Sequence, residues 1–335
     1  MKSDFRELLA ASAAIGRDPA LVQGAGGNTS VKRDGVLWVK ASGTWLAEAE
    51  ARDIMVPVEI APLLAALDTD EAEQGERFVV AAQNPSGLRP SIETTMHAAL
   101  PHRVVLHVHC VETLAWVALE GVEAMLRPLL AGLDWRFVPY VRPGAPLTRA
   151  ILAAGVADVL VLGNHGLVVG ADSIAAAWSL LRTVQARLRR PVRPAPPPDL
   201  ARLSAMAGPG WAPAPDAAHG AGTDAVSARL AVQGSLYPDH VIFLGPGALV
   251  LGPDETLPDA LARCVVAPPL ALVPGAGALL RQDASAGAVA LARCLADVLA
   301  RLGPADILHP LTAAQETELA GWDAEAYRRT LDRPA

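Results

Sequence analysis

A short apolar run that carries two histidines constrains the fold of this chain most strongly. The run Val104-Val105-Leu106-His107-Val108-His109-Cys110 is rich in β-branched residues, and this pattern predicts a buried strand. Because side chains two apart on a strand point to the same face, His107 and His109 project together, about 7 Å apart along the strand. Two neutral imidazoles at this spacing can share one metal ion, most readily zinc, or can be hydrogen-bonded core histidines. The run alone leaves both interpretations open.

The size and charge of the chain limit the classes of partner. Its 335 residues suffice for two modest domains or one large one. The net charge is −7, and no basic stripe with interleaved aromatic residues is present, which argues against a nucleic-acid partner. No uninterrupted apolar run reaches membrane-spanning length, so we expect no membrane partner.

The cysteines and the N-terminal residues predict a cytoplasmic location. The three cysteines are far apart and odd in number, so they do not form a disulfide framework, and a reducing compartment is expected. The first seven residues carry charges of both signs and no long apolar region, unlike a signal peptide. Cys110 faces the other side of its strand from the histidines and is interpreted as a packed residue.

Two glycine-containing loops lie near the start of the chain. The glycine-rich bend 24–32 leads into a predicted strand over 36–40, and the small-residue turn 41–44 ends that strand. Backbone N–H groups of such loops can bind an anion, but tight hairpin turns have the same composition. Both interpretations stay open here.

The segment 90–100 predicts a helix with an acidic residue at its start. Pro90 and Ser91 suit the entry to a helix, and Glu93 suits the positive end of the helix dipole. Glu93 is therefore either a helix-end charge or a functional carboxylate. His97, one helical turn further on, is interpreted as a structural residue.

The third histidine of interest follows another apolar strand. The strand 159–162 leads into Gly163-Asn164-His165-Gly166, so His165 occupies a glycine-flanked turn, a usual place for a site residue. The flanking patterns predict helical sequence over 112–130 with a possible break at Gly121, a strand over 135–141 that contains Tyr140, and helices over 147–154 and 173–189.

Composition divides the chain into three parts. Residues 1–190 form the first predicted domain, residues 191–229 form a Pro- and Ala-rich linker, and residues 230–335 form a small C-terminal α/β unit. Within this last unit the patterns predict strands over 240–244, 248–251 and 270–273 and helices over 257–264 and 288–302. We find no internal repeat in the sequence.

The three histidines and Glu93 form a plausible constellation. His107, His109 and His165 can fill three corners of a tetrahedral site and leave the fourth open, which is the pattern of a catalytic zinc. Glu93 could be the carboxylate that moves a proton beside it.

Residues 1 to about 190 resemble the class II aldolase/adducin family, in particular its fuculose-phosphate and rhamnulose-phosphate aldolases. The matching stretches are Gly26-Gly27-Asn28-Thr29-Ser30, Ala41-Ser42-Gly43-Thr44, Pro90-Ser91-Ile92-Glu93, His107-Val108-His109 and Asn164-His165-Gly166. The resemblance implies an α/β/α sandwich around a mainly antiparallel sheet, and a homotetramer with sites near subunit interfaces. The part after the linker is similar to the tail of the aldolase half in longer rhamnulose-phosphate aldolase/dehydrogenase proteins.

The resemblance also implies the chemistry. A divalent cation, Zn²⁺ or Mn²⁺, would be held by His107, His109 and His165 in a lyase that cleaves a carbon–carbon bond of a ketose phosphate or sugar acid by retro-aldol chemistry. Glu93 would be the acid/base residue. The family's epimerases carry Asp at that position, so Glu93 favours carbon–carbon cleavage. Tyr140 is the residue proposed for the aldehyde side. The residues that would line the substrate's anion site are Asn28, Thr29, Ser42, Gly43 and Ser91.

Two alternative functions remain. Ile92 stands where many aldolases of the family have a second hydroxyl, so the substrate could be a sugar acid rather than a phosphate. A metal-stabilised enediolate also serves the decarboxylation of a 3-keto sugar acid or its phosphate. The second alternative is a non-catalytic, adducin-like assembly module.

Overall fold

The computed structural model describes residues 2–332. The chain forms two compact units, one made of Met1–Thr113 and Glu123–Leu188 and the other of Leu114–Val122 and Arg189–Ala335. Each unit has its own sheet and its own apolar core.

The first unit is built on a seven-stranded sheet. Its strands are β1 (Asn28–Arg33), β2 (Val36–Lys40), β3 (Met55–Glu59), β4 (Val104–Val108), β5 (Trp135–Val138), β6 (Val159–Leu162) and β7 (Gly166–Ala171). They lie in the order β3-β2-β1-β4-β7-β6-β5, and every neighbouring pair is antiparallel except β5 and β6. The mainly antiparallel α/β fold predicted from the sequence is confirmed.

Helices flank these strands along the chain. They are α1 (Lys2–Arg17), α2 (Ile60–Ala65), α3 (Thr94–Ala99), α4 (Val111–Val117), α5 (Val122–Leu129), α6 (Ala145–Ala154) and α7 (Ile174–Arg187). Helices α1 and α7 contact each other and the central strands, whereas α3 contacts both α2 and α6. Alternate strand residues such as Val105, Leu160 and Val168 pack with Met96 of α3 and Ile151 of α6 in one apolar cluster.

The break predicted at Gly121 is observed. Gly121 has φ +65°, a left-handed conformation that glycine adopts without a steric penalty, and it separates α4 from α5. Helix α4 begins in the first unit and ends in the second.

The second unit contains a four-stranded sheet. Its strands are β8 (Trp211–Pro213), β9 (Leu249–Val250), β10 (Leu270–Val273) and β11 (Gly277–Arg281), in the order β8-β11-β10-β9. Its helices are α8 (Leu200–Met206), α9 (Gly220–Thr223), α10 (Ala225–Ala231), α11 (Pro238–Leu244), α12 (Leu257–Ala262), α13 (Ala286–Leu299), α14 (Ala313–Ala320) and α15 (Asp323–Leu331).

Two details of the second unit differ from the sequence prediction. The run 240–244, predicted as a strand, belongs to helix α11, because an apolar run buried on all sides has no periodicity to separate the two structures and Pro238 starts a helix well. The segment 191–229, predicted as a Pro- and Ala-rich linker, belongs to the second unit. It contains α8, α9 and the start of α10, and β8 pairs with β11.

The described helices were also compared with the length and apolarity that a membrane span needs. Over residues 2–332, none meets both requirements.

Candidate metal centre

The pairing of β4 with β7 brings the three histidines together. His107 is a fully buried residue of β4, His109 follows the end of that strand, and His165 immediately precedes β7. Because β4 and β7 are antiparallel with His107 opposite Val168, the turn before β7 lies beside the end of β4. The geometry of a sheet thus joins residues that are about 60 positions apart in the chain.

A glycine permits this close approach. A Cβ atom at Gly166 would lie 2.5 Å from the carbonyl oxygen of Val108 and 3.3 Å from the His109 ring. Any larger residue would push β7 away from the end of β4, and with it the turn that carries His165.

The three imidazoles form one compact cluster. Their ring centroids lie 4.9 to 5.3 Å apart, and the potential ligand atoms of all three lie within 4.8 Å of one another. The Nε2 atoms of His107 and His109 are 3.2 Å apart. All three residues are buried.

The donor set fits a divalent cation. The Nδ1 of His107 lies 3.1 Å from the carbonyl oxygen of Leu167, so this N–H donates a hydrogen bond and the Nε2 lone pair faces the cluster. Metal–nitrogen bonds of about 2.0–2.1 Å place two ligands of one tetrahedral ion about 3.4 Å apart, close to the observed separation. The structure therefore brings His107, His109 and His165 into an arrangement that could hold a metal ion.

Glu93 directs its carboxylate into the same cluster. Its Oε2 lies 3.3 Å from Nε2 of His107, and its Oε1 lies 3.4 Å from Nε2 of His165. Although Glu93 occupies the N-cap position of α3, its side chain makes no capping hydrogen bond. Among the described residues, Oε1 accepts no hydrogen bond and is buried. The interpretation of Glu93 as a simple helix-end charge does not fit this orientation.

The surroundings of Glu93 stabilise its ionised form. Burial alone would raise its pKa, but the positive charge that His107 and His165 can carry and the hydrogen bond from Asn28 outweigh this effect and lower the pKa to about 2. Glu93 is therefore a carboxylate at neutral pH.

A series of hydrogen bonds holds the Oε2 atom of Glu93. Nδ2 of Asn28 donates to Oε2 of Glu93 at 2.8 Å, and Oδ1 of Asn28 is hydrogen-bonded to Nε2 of His97. Nδ1 of His97 lies 2.7 Å from the hydroxyl of Ser30. Burial is the main cause that lowers the pKa of His97 to about 3, so the ring is neutral and its Nε2–H donates to Asn28.

Sequence reasoning missed this position of His97. Its signal was the spacing of four residues from Glu93, which places both on one face of α3. In the structure, His97 is hydrogen-bonded to Asn28, and Asn28 is hydrogen-bonded to Glu93, so His97 fixes the side chain that orients the Glu93 carboxylate.

The predicted substrate-binding residues fall into two groups. Ala41 and Pro90 form a bridge, and the N–H of Ser42 donates to the carbonyl of Arg89, so Ser42 and Gly43 lie close to the segment of Ser91. The Ser91 hydroxyl accepts a hydrogen bond from Nδ2 of Asn28 at 3.1 Å. The structure does not bring the Thr29 side chain to this group.

Thr29 is turned to the other face of β1. Its hydroxyl is hydrogen-bonded to Ser12 of α1 at 2.7 Å, and it is fully buried. This follows from the alternation of side chains along a strand, since the preceding residue Asn28 points to Glu93. The predicted binding role of Thr29 has no support from its side chain.

Tyr140 lies near the turn that carries His165. A Cβ atom at Gly163 would lie 2.9 Å from the backbone nitrogen of Tyr140, so these two loops are in contact. Tyr140 itself is half-buried. Its role stays a prediction.

Comparison with known proteins identifies the family. The family described as "Class II Aldolase and Adducin N-terminal domain" matches residues 6–190, which is more than half of the chain. The chain belongs to the class II aldolase and adducin family. The matched residues include Glu93 and the three histidines.

Two curated relatives of this class II aldolase family member differ in length. "Uncharacterized oxidoreductase YuxG" of Bacillus subtilis is 31% identical in an alignment of 183 positions that covers 50% of this chain and 26% of the relative. The 5-deoxy-D-ribulose 1-phosphate aldolase of Bacillus thuringiensis is 26% identical in an alignment of 180 positions that covers 49% of this chain and 73% of the relative. The chain thus spans about a quarter of the length of the first relative.

Solved structures are similar over a comparable share of the chain. The N-terminal class II aldolase domain of a Thermoplasma acidophilum protein is 31% identical with a TM-score of 0.49, and covers 56% of this chain and 93% of that one. L-fuculose-1-phosphate aldolase from Thermus thermophilus is 18% identical with a TM-score of 0.36, and covers 54% of this chain and 92% of that one.

Proposed function

We propose that this class II aldolase family member is a divalent-metal-dependent lyase that cleaves a carbon–carbon bond of a ketose phosphate or sugar-acid-like substrate by retro-aldol chemistry. The observation that carries the proposal is the convergence of three buried imidazoles on the Glu93 carboxylate. Family membership supports the reaction class, since the Bacillus thuringiensis relative is an aldolase of a ketose phosphate by its printed name.

His107, His109 and His165 would hold the cation, with Zn²⁺ or Mn²⁺ as the candidates. When bound, such an ion acts as a Lewis acid that polarises a substrate carbonyl. The hydrogen bond from His107 to Leu167 keeps that ring in the tautomer and orientation that a ligand needs.

Glu93 would move the proton. Because its carboxylate is buried within 3.4 Å of the His107 and His165 rings, it can accept a proton from the carbon next to the substrate carbonyl in the condensation direction. In cleavage, the same carboxyl group returns that proton to the carbon once the bond has broken. The chain from Ser30 through His97 and Asn28 fixes the carboxylate during both steps.

The polar groups near Glu93 would bind the substrate. Asn28, Ser42, Gly43 and Ser91 lie in adjacent segments, where the hydroxyls of Ser42 and Ser91 and the N–H of Gly43 would donate to an anionic group. Asn28 would border this group, because both of its amide hydrogens already donate to Glu93 and Ser91. Ile92 adds no hydroxyl there, so a carboxylate substrate competes with a phosphate in this proposal. Tyr140 would protonate or orient the aldehyde fragment.

The assembly and location belong to the same proposal. A homotetramer follows from the family resemblance and is tested by the molar mass of the purified protein in solution. Three free cysteines suit a reducing, cytoplasmic location.

A product screen tests the proposed reaction. Protein stripped of metal with a chelator and reloaded with Zn²⁺ or Mn²⁺ is incubated with ketose phosphates and with sugar acids, and aldehyde and carbon dioxide are assayed separately. Aldehyde release supports the aldolase. Carbon dioxide release without aldehyde would support the decarboxylase instead.

The variant Glu93→Gln tests the proton transfer. It keeps the size of the side chain but cannot exchange the proton, so we expect turnover to fall by a factor of about 100 or more while metal content is unchanged. Unchanged turnover in Glu93→Gln would refute the role of Glu93. A protein that binds no metal and releases neither product would favour the assembly module.

A further inference from the structure

The sheet of the second unit repeats part of the sheet of the first. In the first unit, strands β4, β7, β6 and β5 lie side by side, and in the second unit β8, β11, β10 and β9 lie in the same order. The pair β5 and β6 and the corresponding pair β9 and β10 are parallel, and the other two pairs of each set are antiparallel. The strand order and every direction therefore agree.

The agreement extends to the register of the central hairpin. Val159 pairs with Val169 and Leu162 with Gly166, whereas Leu270 pairs with Leu280 and Val273 with Gly277. Both hairpins have a three-residue turn whose middle residue has positive φ, +50° at Asn164 and +75° at Gly275. In both turns, the N–H of the last residue, His165 or Ala276, donates to the carbonyl of the last residue of the preceding strand.

The helix after each hairpin is also the same. Helices α7 and α13 both have 14 residues, and each follows an N-cap serine, Ser173 or Ser285. In both cases the serine hydroxyl accepts a hydrogen bond from the N–H three residues later.

The helix before the first strand of each set corresponds as well. Glu93 is the N-cap of α3 and lies 12 residues before Val105, and Asp199 is the N-cap of α8 and lies 12 residues before Trp211. Val105 pairs with the fifth residue of β7, and Trp211 pairs with the fifth residue of β11.

The two cores use the same positions of the two sheets. Val138, Leu160, Leu162 and Val168 belong to one buried cluster of the first unit. By the strand pairings, their counterparts are Leu251, Ala271, Val273 and Leu279, all of which belong to one buried cluster of the second unit. The same face of each sheet is therefore the apolar one.

We propose that residues 199–299 are a second copy of residues 93–187 that has lost its metal site. The counterparts of His107, His109 and His165 are Pro213, Pro215 and Ala276, whose side chains offer no lone pair to a metal. Among residues 2–332 the chain thus holds one candidate metal site for its two copies, and this statement rests on the proposed function.

The acidic residue at the counterpart position of Glu93 is Asp199, and its side chain has a different role. Asp199 accepts a hydrogen bond from the N–H of Arg202 and so caps α8, whereas the Glu93 side chain caps nothing and faces the histidines. The acidic residue of the copy thus stabilises a helix end instead of moving a proton.

The position of β8 explains the prolines. Strand β4 is paired on both sides, with β1 and β7, but β8 is the edge strand of its sheet. Proline lacks an N–H to donate and is accepted at a sheet edge, where it also discourages pairing with another chain. Substitution of the histidines by proline therefore suits an edge strand that has no metal to hold.

A restored ligand set tests the proposal. The triple variant Pro213→His/Pro215→His/Ala276→His is loaded with Co²⁺ or Zn²⁺ beside the wild type, and bound metal per chain is measured after removal of free ions. We expect the triple variant to bind one more ion per chain than the wild type. The double variant Pro213→His/Pro215→His, with two of the three ligands, should bind that ion about tenfold or more weakly.

The metal bound by the wild type and the extra metal bound by the triple variant answer different questions. The metal content of the wild type tests the proposed function, since it depends on His107, His109 and His165 alone. The extra ion in the triple variant tests whether residues 199–299 are a second copy. A folded triple variant that binds no added ion would overturn the proposal. If the triple variant does not fold, the double variant His107→Ala/His165→Ala decides. Metal that stays bound per chain in this variant at the wild-type level would show a second site and overturn the proposal.

Discussion

The variant Asn28→Ala tests how the hydrogen-bonded chain holds Glu93. The side chain of Asn28 donates to Glu93 Oε2 at 2.8 Å and to the Ser91 hydroxyl at 3.1 Å, and it accepts from Nε2 of His97. Asn28→Ala removes all three bonds and leaves buried polar groups behind, whereas the backbone of β1 is unchanged. Thr29→Val, on the opposite face of the same strand, is the matched control because it removes only the bond to Ser12.

The expected magnitude follows from these bonds. A hydrogen bond to a charged carboxylate contributes about 1.5–3 kcal/mol and a neutral one about 1 kcal/mol. Asn28→Ala should therefore lower the free energy of unfolding by about 3–5 kcal/mol, whereas Thr29→Val should lower it by about 1 kcal/mol. Asn28→Asp keeps the shape but places a second carboxylate next to Glu93, so it should also be strongly destabilising at neutral pH.

Chemical denaturation followed by tryptophan fluorescence measures these differences, and metal content and turnover are measured on the same samples. We expect Asn28→Ala to lose turnover, in kcat more than in KM, with its metal retained. If Asn28→Ala destabilises the chain no more than Thr29→Val does, the hydrogen-bonded chain does not hold Glu93 and the reasoning fails. Full stability of Asn28→Asp would contradict it as well.

Three further predictions concern the metal ligands, the strand contact and the second unit. His107→Ala should abolish tight metal binding, whereas His102→Ala, outside the cluster, should retain it; metal analysis of both proteins decides. Gly166→Ala should lower the free energy of unfolding by about 2 kcal/mol or more and weaken metal binding, because its Cβ would lie 2.5 Å from the Val108 carbonyl oxygen. Gly208→Ala is the control, since its Cβ would meet nothing within 4 Å and should change neither property. Thermal unfolding and metal titration compare the two variants. Burial lowers the pKa of His240 to about 4, below the value in the unfolded chain, so its contribution to stability is complete above about pH 6.5 and falls as the pH decreases towards 4. Wild type should lose about 2 kcal/mol from this group between pH 7.5 and 5, and the loss should be absent in His240→Gln; equal pH dependence of the two proteins would contradict the assignment.

Much of the first unit is predictable from local patterns. Alternation and β-branched runs located the strand of His107 and the strand that precedes the turn of His165, and the helix-entry signals at Pro90 and Ser91 placed Glu93 at the start of α3. These patterns work because strands and helices impose fixed side-chain periods on residues that share a buried face.

Other features depend on contacts between distant residues. The run 240–244 is buried on every side, so its period carries no information, and its helix is decided by what surrounds it. The similarity of the two hairpins is hidden in the sequence as well. Over 159–172 and 270–283, only Gly166/Gly277 and Asp172/Asp283 are identical, because any apolar residue of suitable size fills a core position.

By itself, the sequence predicted which side chains carry groups able to ligate a metal or exchange a proton, and near which elements they lie, because residue chemistry and local periodicity are properties of short segments. Only the tertiary structure decided that His107, His109 and His165 meet, that Asn28 faces Glu93 while Thr29 faces Ser12, and that His97 supports them. Strand pairing and register set these contacts, and register depends on how whole sheets pack, which no short segment specifies.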